Sequence, residues 1–482
     1  MGYYSFIDIT GIQRTIFETN RQKIILGASL QLANWQDKCA GYLGTGKLVS
    51  SAGGNVFAYF EEENNESAYD YAQKCSDEAA LIGFGSAWAV AEGTPPDTVD
   101  ILGHYRTWQS IQREIGRHKA GDRDPCDYTS KITLDKYWMF TFQKNHICHE
   151  CGTRPAEKPD LCEICESRLN TSPFCKSKTL FNRLYVNNSF PTELKDLAST
   201  EKGEDKPPIA IITIDLNNMG KRFLEYVRSD GFNDFRKMSE TLDNNLFEIY
   251  NKAISAASKP KHCVPLLLAG DDAVFAMPVS SWVPFVKSVF DSLTEKNLMA
   301  CAGVVIAPHN YPFSRLVNMA EELCASAKER FRYEQSKSSC FNECVVDWHV
   351  FKESAFVSVM EARRRGFVKV EKNGIECTIS TKKPYAHSEF NSLASTADSW
   401  KKDKNLSEGK LFSLYRAILA GEETTRNVLV YEFLRDEKPD LTKYAKIWEK
   451  VNTGGLWHEY ENSPYTVHVS DTADCIELGR MI

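Results

Sequence analysis

The chain has 482 residues, room for about three domains that each bury a core of their own. With 42% hydrophobic, 11% aromatic and 26% charged residues, its composition is that of an ordinary soluble globular protein and excludes a disordered, collagenous or membrane chain. Its 58 Lys and Arg against 65 Asp and Glu leave a net charge of −7, so contact with nucleic acid has to come from local basic patches or partner subunits.

In chain order, residues 5–9 read as a short apolar strand bearing Asp8, followed by a helical stretch through Gln31. Asp8 stands where a signal peptide would carry its apolar segment, and Phe6 stands where myristoylation needs Ser or Thr. No run reaches the ~18 apolar residues that cross a bilayer. Together with an odd count of 15 cysteines, this predicts a cytoplasmic protein with no membrane partner, its cysteines thiols or metal ligands. Residues 48–60 then read as strand, Gly53-Gly54 turn, strand, with helices near 67–80 and 105–119. The series Gly41-x4-Gly46-Lys47 is a false P-loop, because Leu48 replaces Ser or Thr and no strand precedes it.

Cys148-x2-Cys151 and Cys162-x2-Cys165 come next, two close pairs ten residues apart. That spacing suits tetrahedral thiolate coordination of structural zinc, with Gly152 in the first knuckle and His146, His149 and Cys175 as nearby substitutes. A polar linker at 194–208 leads to a second apolar strand, 209–216, bearing Asp215, then a helical stretch through Ile254 and a second hairpin at 266–277. Placing Ala52-Gly53-Gly54-Asn55 on Ala269-Gly270-Asp271-Asp272 aligns the two hairpins without a gap. A helix at 283–293, a strand at 300–307 and a helix from 314 to about 330 complete a split βαβ pattern, so the chain reads as a divergent repeat of two ferredoxin-like palms. Beyond about 388, amphipathic stretches at 411–419, 425–434 and 441–451 predict a helical domain. The fold class is α+β, divided as first palm 1–145, zinc-binding insert and linker 146–205, second palm 206–387 and helical domain 388–482.

Asp215 at a strand end beside Asp271 and Asp272 in a hairpin is the strongest catalytic signal. Two magnesium or manganese ions about 4 Å apart need carboxylates from adjacent strands, and neighbouring strands lie ~4.8 Å apart. Asn218, Met219, Gly220 and Lys221 open the following helix, whose N-terminal amides can hold a triphosphate, and Lys328 can neutralise it. Arg113, Arg117, Lys119 and Arg123, and the run at Arg363-Arg364-Arg365, read as solvated faces before they read as RNA contacts. None of the ten histidines is followed by Asp, so an HD-type phosphohydrolase site has no support.

These motifs resemble the large subunit of type III CRISPR effector complexes, which pairs two GGDEF-like (nucleotidyl cyclase-like) palms around a zinc-binding segment. The resemblance rests on Phe6 to Gln13, Gly27-Ala28-Ser29, the four cysteines, Asp215 to Gly220, Ala269 to Asp272, Ala302 to Val305, Pro312, Ala327-Lys328 and Pro384-Tyr385. It implies an enzyme making cyclic oligoadenylate second messengers from ATP when its complex, with other effector subunits and guide RNA, binds target RNA. Asp215, Asp271 and Asp272 are then the magnesium ligands, and Asn218 to Lys221, Gly270 and Lys328 hold the donor. The first palm, with Asp8, Ser29, Gly54 and Asn55, holds the acceptor ATP without a metal pair. Ala269 departs from the family's Gly-Gly, and the first palm begins at Tyr3 with no nuclease domain ahead of it, so DNA cleavage is not expected. Alternative readings are transfer of AMP to another small molecule such as S-adenosylmethionine, a stand-alone cyclase, and a non-catalytic structural subunit.

Overall fold

The computed structural model describes residues 2–120, 147–198, 208–435 and 457–481, apart from short breaks at 63–64, 157–159, 173–178, 187–189, 233–234, 352–357, 371–375, 404–405 and 463–464. The expected helix at 441–451, and Arg123, His146 and Cys175, lie outside the described residues.

The first palm is a four-stranded sheet of β1 (Gly2–Thr10), β2 (Lys47–Ala52), β3 (Asn55–Phe60) and β4 (Gly85–Gly93), in the order β2-β3-β1-β4. β1 is covered on both faces, and its period-two alternation sorts the cores. Tyr4 and Phe6 meet Ile111 and Ile115 of helix Ile101–Ala120, while Ile7 and Ile9 join the main core with helices Gln22–Gly41 and Glu66–Leu81.

The second palm repeats this frame. Its strands β5 (Pro208–Leu216), β6 (Val264–Ala269), β7 (Asp272–Pro278) and β8 (Ala300–Pro308) run in the order β6-β7-β5-β8, extended by β9 (Val345–Val350), parallel to β8, and by the short β12 (Tyr385–Ala386), antiparallel to β9. The repeat holds in register. Asp8 faces Asn55 and Asp215 faces Asp272, while Ala52 faces Asn55 and Ala269 faces Asp272. Each hairpin carries a bulge at the same place, between Leu48 and Ser50 and between Pro265 and Leu267. Gly11 and Asn218, each three residues past its aspartate, both take the left-handed conformation (φ 63° and 62°) that turns the chain into its next helix.

The palms meet hairpin to hairpin. A Cβ on Gly53 would lie 2.9 Å from Gly270 Cα, and both glycines have positive φ, so glycine is required at each for two reasons. Around this contact the helices exchange partners. Ser29 on helix Gln22–Gly41 donates to the Leu266 carbonyl of β6, and Ser239 on helix Phe235–Ala256 pairs with Ser50 of β2 at 3.2 Å.

Four expected elements differ. The helical stretch after Asp8 is two helices, Ile12–Ile16 and Gln22–Gly41. The one after Asp215 is also two, Met219–Asp230 and Phe235–Ala256, broken at Gly231 (φ 66°) where the Phe232 amide donates to His104 Nδ1 of the first palm at 3.1 Å. The linker at 194–208 opens with helix Leu194–Ala198, whose Leu197 and Ala198 are buried. In the C-terminal region helices Glu408–Ala420 and Glu422–Arg435 fall on the expected stretches at 411–419 and 425–434, and an unexpected helix, His387–Lys402, precedes them. The same region also supplies β13 (His458–Asn462) and β14 (Tyr465–Val469), which join β10 (Val368–Val370) and β11 (Glu376–Ile379) in a sheet of order β10-β11-β14-β13 that crosses the expected boundary at 387. Helix Thr472–Gly479 is anchored beside it by the buried Lys383, which bonds Glu477 at 2.6 Å and lies 3.3 Å from Asp474.

Candidate active site and metal centre

Asp215 sits at the penultimate position of β5, and the register places it opposite Asp272, the first residue of β7. The Leu216 amide bonds the Asp271 carbonyl at 3.1 Å and the Asn217 amide bonds the Met299 carbonyl at 2.8 Å, fixing the strand end against both neighbours. The carboxyls of Asp215 and Asp272 lie within hydrogen-bonding reach, and Asp272 is pushed up to about 7, first by burial and then by Asp215 and Asp271. Two carboxyl groups crowded this closely at neighbouring strand ends fit a divalent metal. Asp271 is also raised, mainly by burial.

Lys328, on helix Phe313–Lys337, donates to Asp215 Oδ2. Burial works against its charge, yet the bond to Asp215 outweighs that and raises its pKa. The first palm reaches in as well: Gln13 Nε2 donates to Asp272 Oδ2 at 3.3 Å. Gln13 occupies the position that Gly220 holds in the repeat, five residues past the aspartate, and a Cβ on Gly220 would meet nothing within 4 Å.

That open space belongs to a cavity of about 780 Å³ between the palms, walled by Met219, Gly220, Gly270 and Asp271 of the second palm and Asp8, Gly53 and Asn55 of the first. Tyr105 and Trp108 add aromatic surface, and Arg113, Lys119 and Arg228 add cations. Asp8 is not bare, since Lys119 Nζ bonds its Oδ2 at 2.5 Å. The cavity floor includes Asp243, raised to about 6 by burial.

The sequence-predicted residues divide accordingly. Asp215, Asp272 and Lys328 come together, and Met219, Gly220, Gly270, Asp271, Asp8 and Asn55 line the adjoining cavity. Lys221 instead faces solvent near Glu225, Asn218 serves as the left-handed helix cap, and Ser29 is buried against Leu266, a contact between palms in place of the expected nucleotide contact. Gly54 is held against Ile12, and Ala269 is buried behind the turn. Sequence reasoning missed Gln13, the role of Lys119 and Asp243, because each acts across the palm boundary or at the end of a helix far along the chain. The Arg363 run is resolved by structure: Arg363 is buried on Asp347, and Arg364 and Arg365 both bond Glu361. Lys47 of the false P-loop pairs with Asp97 at 3.0 Å.

The second constellation is Cys148, Cys151, Cys162 and Cys165, all buried, with sulfur atoms within 4.8 Å of one another; among the described residues no other group of three or more metal-ligating side chains is so gathered. Hydrogen bonds from Cys162 and Cys165 drive the Cys151 thiol far down, while the bond with Cys151 raises Cys162 and Cys165. Three thiols gathered around one thiolate are a fit for zinc, with no open coordination position. His149 is exposed and 3.8 Å from Asp160, outside the cluster. The segment is fastened to the first palm: Glu18 accepts from Arg154 at 2.6 and 2.9 Å and from the fully buried Arg168 at 2.7 Å, and a Cβ on Gly27 would lie 1.9 Å from the Arg168 carbonyl oxygen.

These features define a tandem-palm protein with an asymmetric pair of strand ends and a four-cysteine cluster fit for a metal. Residues 208–336 match the family described as Cas10/Cmr2, second palm domain, a span that contains Asp215, Asp271, Asp272 and Lys328. No curated protein matches the chain. In solved structures its fold is that of Csm1. The Csm1-Csm4 cassette in complex with one ATP is 13% identical, with a TM-score of 0.54 over 100% of this chain and 70% of that one. The Csm1-Csm4 subcomplex of the type III-A CRISPR-Csm interference complex is 13% identical, with a TM-score of 0.54 over 100% and 69%. Csm1 in T. onnurineus is 14% identical, with a TM-score of 0.52 over 93% and 67%. The chain therefore has the two-palm fold of a Cas10-like large subunit, and among the described residues no helix is long and apolar enough to cross a membrane.

Proposed function

We propose that the second palm is a metal-dependent nucleotidyltransferase centre that makes cyclic oligoadenylates from ATP, and that the chain acts as the target-RNA-activated subunit of a type III CRISPR complex. The observation that carries this reading is the Asp215 and Asp272 pair, in register on adjacent strands and crowded enough to raise Asp272, inside the span that matches the Cas10/Cmr2 second palm. Support for the ligand class comes from Csm1-Csm4 cassettes of the same fold, whose complexes include one ATP and cA4.

Asp215 and Asp272 would hold magnesium or manganese, which when bound lowers the pKa of the attacking 3′-hydroxyl and neutralises charge on the phosphates. The chain's own residues do the rest. Lys328, exchanging Asp215 for phosphate oxygens, stabilises the departing pyrophosphate. The first amides of helix Met219–Asp230 face the phosphates across the gap left by Gly220, and the aromatic wall of Tyr105 and Trp108 keeps water from a stacked base. Gln13 steadies the Asp272 carboxylate from the opposite palm. The four cysteines would hold zinc as a folding staple.

The test is to incubate the purified chain, alone and in complex with guide and target RNA, with ATP and magnesium, following pyrophosphate release and product mass. Cyclic oligoadenylates that disappear in Asp215→Asn are expected. Equal pyrophosphate release by wild type and Asp215→Asn/Asp272→Asn would overturn the proposal, and a mixed adduct mass would redirect it to another acceptor.

A further inference from the structure

The carboxylate pair of the second palm and the four-cysteine cluster are joined by one short segment of the first palm. We propose that residues 12–20 are a brace that positions the Asp272 carboxylate, with Gln13 as the positioning residue and the four-cysteine segment as the anchor. What the carboxylate does once positioned rests on the nucleotidyl-transfer reading above; the brace itself does not.

The brace begins at the acid pair. From helix Ile12–Ile16, Gln13 Nε2 donates to Asp272 Oδ2 at 3.3 Å. A donor on one oxygen fixes the plane of a carboxylate and so aims the other at a cation, and outer partners of this kind are worth about ten- to a hundredfold in metal affinity. The reciprocal contact cannot form, since the matching position in the second palm is Gly220 and its target would be Asn55. The donor is present only where there is an acid to hold.

The other end of the brace is pinned to the second palm as well. Helix Phe313–Lys337, which carries Lys328, starts after Pro312, a residue with no side-chain acceptor for the free amides of the first turn. Asn20 supplies one from the first palm: its Oδ1 accepts from the Phe313 amide at 2.8 Å and the Ser314 amide at 3.4 Å. Phe17 packs on Phe313 beside it, both rings buried and their centroids 6.0 Å apart. Contacts at both ends fix how the segment lies and therefore where Gln13 points.

Its back is fastened to the four-cysteine segment. Arg168 donates to the Thr15 carbonyl at 3.3 Å and to Glu18 at 2.7 Å, Arg154 donates twice to Glu18 at 2.6 and 2.9 Å, and the Thr19 hydroxyl donates to Glu150 at 3.1 Å. Arg154 follows Cys151 by three residues and Arg168 follows Cys165 by three, so each cysteine pair delivers one arginine to the brace. A change in how the four sulfur atoms are held moves both arginines, and through Thr15 and Glu18 it reaches Gln13. Contiguous hydrogen-bonded groups of this kind carry coupling between sites.

The experiment is titration of Mn²⁺ into the zinc-loaded full chain without nucleotide, followed by the electron paramagnetic resonance of the free ion. Wild type is expected to bind manganese at a site that is lost in Asp215→Asn/Asp272→Asn. Gln13→Met, similar in length but without the donor, is expected to weaken that site about tenfold. Arg154→Gln, which leaves the four cysteines in place, is expected to weaken it about threefold and to add nothing to Gln13→Met in the double variant, because it acts through Gln13. Asn20→Ala is expected to match Arg154→Gln, while Asn20→Asp, which keeps an acceptor oxygen, binds as wild type does; this pair decides the matter should Arg154→Gln lose its zinc. Unchanged affinity in Gln13→Met overturns the proposal, and additive effects of Arg154→Gln and Gln13→Met overturn the route through the brace. Manganese binding that follows the expected pattern without any ATP turnover leaves the brace standing and overturns the nucleotidyl-transfer reading, whereas a wild-type chain with no manganese site at Asp215 and Asp272 overturns both.

Discussion

The two palms carry one frame and two chemistries. Strand order, bulge, hairpin register and the left-handed residue before the first helix are common to both, and so is the pairing of a strand-end aspartate with a lysine from the helix after the fourth strand. What differs is a few side chains. Gly54 and Asn55 stand where Asp271 and Asp272 stand, and Gln13 stands where Gly220 stands. The first change removes the acids that draw a metal. The second fills one side of the contact and opens the other, since Gln13 reaches over to Asp272 while Gly220 leaves the cavity clear. The backbone therefore conserves the means of presenting a nucleotide, and a handful of substitutions decides which palm activates it.

The sharpest way to break this asymmetry is to erase the pair that makes it. Asp215→Asn/Asp272→Asn is expected to lower pyrophosphate release by about a thousandfold or more, since both metal-holding oxygens are lost. Asn55→Asp in the first palm should not restore it, because Asp8 remains neutralised by Lys119. Recovery of turnover in the triple variant would show that the two palms are interchangeable.

Next in size is the metal of the insert. The cluster sits against helix Gln22–Gly41, where Ile24 joins its core, and Glu18 ties it to the first palm. Cys162→Ser, or exposure to a strong zinc chelator, is expected to lower the melting temperature and expose the 148–169 region to protease, with the second palm still folded. Limited proteolysis checks the order of loss, and simultaneous cleavage in both palms would contradict it.

A smaller effect tests the contact itself. Gly53→Ala puts a methyl group 2.9 Å from the Gly270 backbone at a residue with φ 62°, so strain and steric clash act together and about 1 to 3 kcal/mol of stability should go. Gly54→Ala meets the flexible end of the Ile12 side chain at 2.6 Å and should cost less, although its φ of 84° still carries strain. Chemical denaturation of the two variants ranks them.

Much of this was legible in the sequence, for a physical reason. Register in a hairpin is local, so Ala52 to Asn55 aligns on Ala269 to Asp272, and the matching apolar strands put Asp8 and Asp215 at equivalent strand ends; a metal-ligand spacing is local too, which makes the four cysteines legible. Contacts between palms have no local signature. Nothing in the periodicity near Ser29 says that its hydroxyl is spent on Leu266, and nothing near Gln13 points to Asp272 some 259 positions away. The strands β13 and β14 were missed for the same reason, since β14 is stabilised by pairing with β11, which precedes it by about ninety residues.

The last prediction uses the one ionisable difference between the hairpins. Asp272 in the metal-free protein titrates near 7, above the ~3.9 of an unfolded aspartate, whereas Asn55 at the same register does not titrate. A raised folded value means that the native state holds this proton more tightly than the unfolded chain does. Its contribution to stability is therefore complete below about pH 4, and it is lost as pH rises to about 7, at no more than ~1.4 kcal/mol per pH unit for one proton. In EDTA, wild type should lose stability across that window relative to Asp272→Asn, whose second hairpin then matches the first in lacking this charge. The difference between the two profiles isolates Asp272 from Asp243 and Asp271, which titrate in both proteins. Magnesium should erase the difference at neutral pH by replacing the proton as the partner of the two carboxylates. Parallel profiles in EDTA would mean that burial and Asp215 do not raise Asp272, and the case for a cation at this pair would lose its electrostatic basis.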